Sequence, residues 1–87
     1  MIKILMLKLG TILVSAINDV GSELGEPDCK LENPFTLTQD LNGKWNVLTP
    51  WPEFTSQRSM LIHSDSILTI VEPSKELIQK YQELTAE

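Results

Sequence analysis

The first nineteen residues, MIKILMLKLGTILVSAIND (Met1–Asp19), allow two interpretations that lead to different folds. One interpretation is a signal peptide, with a positive charge at Lys3 and a small-residue cleavage site at Val14-Ser15-Ala16. The other is two apolar β-strands joined by a turn at Gly10. A secretory apolar core usually has about 7–15 uninterrupted apolar residues, whereas Lys8 breaks this run early. We therefore favour the two strands, over residues 2–9 and 11–17.

Both faces of these strands are apolar. Leu5, Leu7 and Leu9 alternate on one face, and Ile2, Ile4 and Met6 on the other. A strand buried on both faces needs two covering layers, which an 87-residue chain can supply only sparingly. We expect a helix or a neighbouring subunit to provide the second layer.

Further strands are predicted downstream. Residues 28–38 alternate in polarity, although Pro34 requires an edge or a bulge. Asn42-Gly43 predicts a type I′ hairpin turn into a fourth strand at residues 44–49 with 57–63, bent or split around Pro50-Trp51-Pro52. Ser64-Asp65-Ser66 predicts a polar turn before a last strand at residues 67–71.

The tail predicts an amphipathic helix at about residues 74–85. Pro73 suits a helix start, and apolar residues recur at helical spacing at Leu77, Ile78, Tyr81 and Leu84. We expect this apolar stripe to cover one face of the sheet. The whole chain, residues 1–87, then forms a single domain that is mostly β.

Charge and composition restrict the function. Seven scattered basic residues against twelve acidic ones give a formal net charge of -5, which disfavours nonspecific nucleic-acid binding. The lone Cys29 fits a reducing cytosol and is interpreted as inert packing. Glu23, Glu26 and Asp28 are interpreted as solvated loop acids, with weak cation binding as the alternative.

Catalytic signatures are absent from the sequence. There is no Ser/His/Asp spacing of the known kinds, no CxxC or HExxH metal motif and no phosphate-binding glycine loop. We expect no enzyme activity and no cofactor. Trp45 and Trp51 are interpreted as core or subunit-interface residues, with aromatic stacking beside Lys44 and Phe54 as the alternative.

The order of elements resembles the Sm-like (LSm) family of small, strongly bent five-stranded barrels. Positions of the first Sm motif are occupied by Leu7, Leu9, Gly10, Leu13 and Ile17, with Ser15 where a second glycine is expected. The second motif is matched in shape by Ile62-His63-Ser64-Asp65-Ser66-Ile67-Leu68-Thr69-Ile70. The chain is also similar to uncharacterised small Sm-like proteins of marine phages and environmental sequences, through Glu32-Asn33-Pro34, Pro50-Trp51-Pro52-Glu53-Phe54 and Glu72-Pro73-Ser74-Lys75-Glu76-Leu77-Ile78.

The resemblance implies an Sm-like barrel, to which the predicted C-terminal helix is added. It also implies a homo-oligomeric ring of about five to seven subunits. The lone Cys29 and the poor signal-peptide pattern favour the cytoplasm, which would be that of an infected host cell if the chain is phage-encoded. The apolar run is far shorter than the ~20 residues of a membrane helix, so we expect no membrane association.

The resemblance further implies a single-stranded RNA site, for which the candidate residues are His63, Ser64, Asp65 and Asn33. The arginine and glycine of the second motif are replaced here by His63 and Ser64. A protein-interaction ring without nucleic acid is the alternative.

Overall fold

The computed structural model describes residues 1–20 and 27–86, so Glu23 and Glu26 of the predicted acidic loop lie outside the described residues. The described part contains the following strands, one α-helix and one turn of 3-10 helix: β1 (Ile2–Leu7), β2 (Ile12–Asp19), β3 (Cys29–Gln39), β4 (Trp45–Pro50), β5 (Ser59–Ile62), the 3-10 turn (Ser64–Ser66), β6 (Ile67–Val71) and α1 (Lys75–Thr85). The predicted mostly β fold with a C-terminal helix is confirmed.

The strands form one antiparallel sheet in the order β4-β3-β2-β1-β6. β5 also pairs with β3, along its first part, from Cys29 to Glu32, while β4 pairs with its second part, from Phe35 to Gln39. The predicted fourth strand is thus two short strands on the same edge of β3, which makes six strands where five were predicted.

β3 bends at Asn33-Pro34. In the pairing with β2, Val14 lies opposite Phe35 and Ala16 opposite Glu32, so the two bend residues face Ser15 alone. Asn33 has a φ of 52°, in the left-handed region that asparagine tolerates better than most residues. Proline has no N–H to donate to a ladder, so it suits this bulge, as the sequence predicts.

The turn from β1 to β2 begins earlier than the sequence predicts. β1 ends at Leu7, whose N–H donates to the carbonyl of Thr11 at 2.9 Å, and Gly10 has a φ of +98°. Leu9 therefore lies exposed in the turn and does not extend the apolar face of the strand.

The turn from β3 to β4 is not of the predicted type I′, which needs a positive φ at both central residues. Only Gly43 has one, at +81°. The Asp40 carboxylate accepts hydrogen bonds from the N–H groups of Asn42 and Lys44, at 2.8 and 3.0 Å, and the ladder shifts register near Gln39. This is the longer hairpin connection with a glycine bulge.

The two faces of the sheet carry separate cores. One core contains residues of β1, β2 and β3 that pack against residues of β5, β6 and the segment after β4, so the sheet curls around this core. Its buried residues are Leu5, Leu7, Leu13, Cys29 and Leu31, and partly buried residues at its margin are Ile17, Trp51, Met60, Ile62 and Ile67. The other lies between the sheet and α1: Val14, Phe35, Leu37, Leu77 and Tyr81, with Ile2, Ile4, Ile12 and Leu48. We call them the inner core and the helix core.

α1 supplies the second layer that the apolar strands require. Ser74 caps it, since its hydroxyl accepts the N–H of Leu77 at 3.2 Å, and Leu77 and Tyr81 are its buried residues. Pro73 lies just before the cap, not within the first helical turn. In the part of the chain that the structure describes, no helix has the length and apolar character needed to cross a membrane.

Candidate functional site

The turn between β5 and β6 carries three of the four predicted site residues. His63, Ser64 and Asp65 are all exposed. The turn is closed by the N–H and the hydroxyl of Ser66, which donate to the carbonyl of His63 at 3.0 and 2.7 Å. The resulting short 3-10 turn presents the imidazole and the Asp65 carboxylate to solvent.

Asp28 holds this turn against the start of β3. Its carboxylate accepts the backbone N–H of Ser64 at 2.8 Å and the Ser64 hydroxyl, also at 2.8 Å. These two hydrogen bonds, the backbone one first, lower the pKa of Asp28, because they favour the ionised carboxylate. On the other side, the N–H of Lys8 donates to the carbonyl of Ser66 at 2.9 Å. Segments from three parts of the sequence therefore meet at this turn.

Asn33 lies apart from the other three candidates. Its N–H donates to the carbonyl of Arg58 at 2.6 Å, and its carbonyl accepts the hydroxyl of Tyr81 at 2.9 Å. Asp28, which contacts the turn, immediately precedes Cys29 at the start of β3. With a rise of about 3.3 Å per residue, Asn33 lies about 13 Å along β3 from Cys29. The structure thus groups His63, Ser64 and Asp65, and places Asn33 at the bend of β3.

The acidic residues at or beside the 63–66 turn, which are Asp19, Asp28 and Asp65, outnumber the basic ones, Lys8 and His63. Burial is the main cause that raises the pKa of the Cys29 thiol. The carboxylates of Asp19, which lies opposite Cys29 in the β2–β3 ladder, and of Asp28 raise this pKa further. Lys30 is paired with Glu32 at 3.0 Å. Lys8 and His63 are thus the basic residues placed at this turn by the contacts above. No cluster of metal-binding side chains occurs within residues 1–20 and 27–86.

The aromatic candidates separate into two environments. Trp51 is half-buried against the inner core, which is one of the two packing roles, core or subunit interface, that the sequence predicts for it. Trp45 is 51% exposed at the start of β4, and Phe54 is 90% exposed in the following loop. Trp45 therefore contributes little to the core.

The two ends of the sheet expose apolar side chains. β6 pairs only with β1 among the described strands, and β5 only with β3, so each keeps an unpaired edge. Leu68 is 66% exposed on β6 and Leu61 is 54% exposed on β5, and the neighbouring Ile70 and Val71 of β6 are exposed as well. These two edges form the second candidate site of the molecule.

Sequence reasoning missed the roles of Asp28 and Arg58. Asp28 was assigned to a solvated loop because its partner, Ser64, is 36 residues away in the sequence. Arg58 falls within the predicted strand segment 57–63, whereas the structure places its guanidinium among backbone carbonyls of the preceding loop. Neither contact has a local sequence signal.

Comparison with known proteins adds a family but no activity. No curated protein matches the chain. A family model with the description "Family of unknown function (DUF6561)" matches residues 1–86, so the chain belongs to the DUF6561 family.

Proposed function

We propose that the chain is an Sm-like protein that forms a closed homo-oligomeric ring of about five to seven subunits. The observation that carries this proposal is that one curled sheet keeps, among the described strands, unpaired edges at both ends, on β6 at one end and on β4 and β5 at the other. An exposed strand edge offers a row of N–H and C=O groups to another chain, and proteins usually cover such edges. Pairing β6 of one subunit with β5 of the next would cover the edges of these two strands.

Side chains at these edges support a protein contact. Leu61, Leu68, Ile70 and Val71 place apolar surface on the two strands that would meet. Neither strand carries a lysine or proline, which often protect a solvent-exposed edge. A head-to-tail contact of this kind closes into a ring when the rotation between subunits allows it.

Replacing Leu68 with lysine tests the assembly. We expect Leu68→Lys to reduce the assembly mass measured by light scattering, because a charge would be buried between the paired edges. Leu41→Lys is the matched control, since Leu41 is fully exposed in the β3–β4 turn and away from both edges. Equal masses for the two variants and the unchanged chain would remove β6 from the interface.

The ligand proposed for the ring, by resemblance to the Sm-like family, is single-stranded RNA at the face formed by the 63–66 turns. The exposed imidazole of His63 supports this assignment, since an imidazole can stack on an unpaired base. Repetition around the ring would bring several copies of the same turn together.

An RNA titration tests this ligand. We expect short uridine-rich or adenine-rich RNA to bind at about 50 mM salt, where electrostatic attraction is large, and to bind more weakly as salt rises. His63→Ala should weaken RNA binding about fivefold or more if the imidazole of His63 stacks on a base. Gln79→Ala, at an exposed position of α1, is the control. Absence of binding at about 50 mM salt would rule out the RNA ligand.

The charge of the chain supports a second function, a ring that serves as a scaffold for other proteins. A net charge of -5 per subunit sums to about -30 in a hexamer, which would repel a polyanion. The acids beside the turn, Asp19, Asp28 and Asp65, add to this repulsion. An intact ring that binds no RNA would favour the scaffold.

A further inference from the structure

A cavity of about 560 Å³ opens beside the bend of β3, away from the 63–66 turn. Its wall combines apolar side chains with one cationic side chain. The apolar part comes from Phe35, Pro50 and Leu84, and the cationic part from Arg58. Hydroxyl groups of the loop before β5 and of the end of α1 complete the wall.

Arg58 is fixed in place by neutral acceptors. Its Nε donates to the carbonyl of Ser56 at 3.2 Å, and its Nη2 donates to the carbonyls of Thr55 and Pro52 at 2.6 and 3.4 Å. Its Nη1 is buried and has no hydrogen-bond partner. A buried donor without a partner is costly, so this nitrogen calls for an acceptor that the described protein atoms do not supply.

The wall around this guanidinium carries no acidic side chain among the residues that the structure describes. None of the described lining residues is an aspartate or a glutamate. Ion pairs in the described part of the chain join Lys3 to Glu72 and Lys30 to Glu32, not Arg58 to an acid. In a chain with twelve acidic residues, a half-buried arginine without an ion pair in the described part of the chain is notable.

We propose that this cavity binds a small organic carboxylate with an apolar body. The carboxylate accepts charge-assisted hydrogen bonds from Nη1 of Arg58, because Nε and Nη2 already donate to backbone carbonyls. The apolar body lies against Phe35, Pro50 and Leu84. This site is independent of the proposed ring and its RNA ligand.

A matched pair of probes tests the charge requirement. Benzoate and benzamide have the same apolar ring, and only benzoate carries the negative charge. In a titration followed by NMR chemical shifts, we expect benzoate to bind at least about tenfold more tightly than benzamide, because one charged pairing is worth about one factor of ten or more. Equal affinities, or no saturable shift with either probe, in both the unchanged chain and a Glu87→Gln variant would overturn the proposal.

Variants locate the site. Arg58→Gln should abolish the preference for benzoate, but it also removes the contacts that hold residues 52–56. Leu84→Glu leaves these contacts intact and places an acid in the wall, so it should weaken benzoate binding about tenfold. Gln79→Glu adds the same charge at an exposed position of the same helix and should leave benzoate binding unchanged. Unchanged benzoate affinity in Leu84→Glu would contradict the assigned cavity.

The last residue of the chain is also an acid. Glu87 follows the lining residue Ala86 and lies outside the described residues. The titration is therefore repeated with Glu87→Gln, so that this acid cannot compete for Arg58. Preferential benzoate binding in either background supports the proposal, and its absence in both overturns it.

Discussion

The phenol of Tyr81 replaces hydrogen bonds that the bulge in β3 removes from the sheet. Its hydroxyl donates toward the carbonyls of Glu32 and Asn33, both at 2.9 Å, and accepts the N–H of Ala16 at 3.2 Å. The ring packs edge-on against Phe35, with centroids 5.6 Å apart. One side chain of α1 thus stabilises the helix core and completes the hydrogen bonding of the bend.

Ser15 performs a related task on β2. It is fully buried at the position facing Asn33-Pro34, and its hydroxyl donates toward the carbonyls of Ala16 and Glu32 at 2.9 and 3.1 Å. A buried hydroxyl is tolerated when it has such acceptors. Ser15 therefore suits this position opposite the bend of β3, where the resemblance to the first Sm motif predicts a glycine.

Tyr81→Phe tests the hydroxyl alone, since the ring remains. We expect the free energy of unfolding to fall by about 1–3 kcal/mol, because buried backbone groups at the bend lose their partner. Urea denaturation of the two proteins measures the difference. A loss below about 0.5 kcal/mol, the range of an ordinary surface change, would contradict this role.

The sequence indicates the position of Tyr81 but not its partners. Helical spacing places Tyr81 on the apolar stripe with Leu77, and both are buried as predicted. The backbone groups that its hydroxyl contacts are 48 to 65 residues away, at a bulge whose register no local pattern specifies.

At the scale of elements, the 63–66 turn depends on Asp28 at the start of β3. The two hydrogen bonds from Ser64 need an ionised carboxylate to be strongest, which is why the pKa of Asp28 is lowered. A carboxyl with a lowered folded-state pKa adds stability above its ordinary pKa. That stability is lost as the pH falls through the lower folded-state value.

Asp28→Asn should therefore be less stable than the unchanged chain at neutral pH, and the difference should shrink below about pH 4. Urea denaturation across this pH range measures both proteins. Asp65→Asn is the matched control, because it neutralises an exposed carboxyl in the same turn without removing the contact to Asp28. A difference for Asp28→Asn that is constant with pH would contradict the ionic contact.

Element types were more predictable than turn geometry. The alternation in β3 and the helical spacing in α1 are strong periodic signals, and both elements form. Asn42-Gly43 correctly predicts a turn, but the Asp40 side chain bonds to the backbone there and selects a longer connection. The Asn42-Gly43 dipeptide alone does not show that the Asp40 carboxylate accepts backbone N–H groups of this turn.

At the scale of the whole molecule, apolar strands on both faces predict two covering layers, and the structure contains them. The inner core fills the curl of the sheet and α1 covers the opposite face. The candidate RNA site was less predictable, because Asn33 resembles a site residue in sequence while its backbone serves the bend. The edges of β5 and β6 remain unpaired within the described chain, and we propose that neighbouring subunits cover them.

The mass of the unchanged protein in solution tests this assignment most directly. Light scattering at micromolar concentration should give a single assembly of about five to seven times the 9.8 kDa mass of one chain. A mass of 9.8 kDa at that concentration would show that the edges stay free and would contradict the ring.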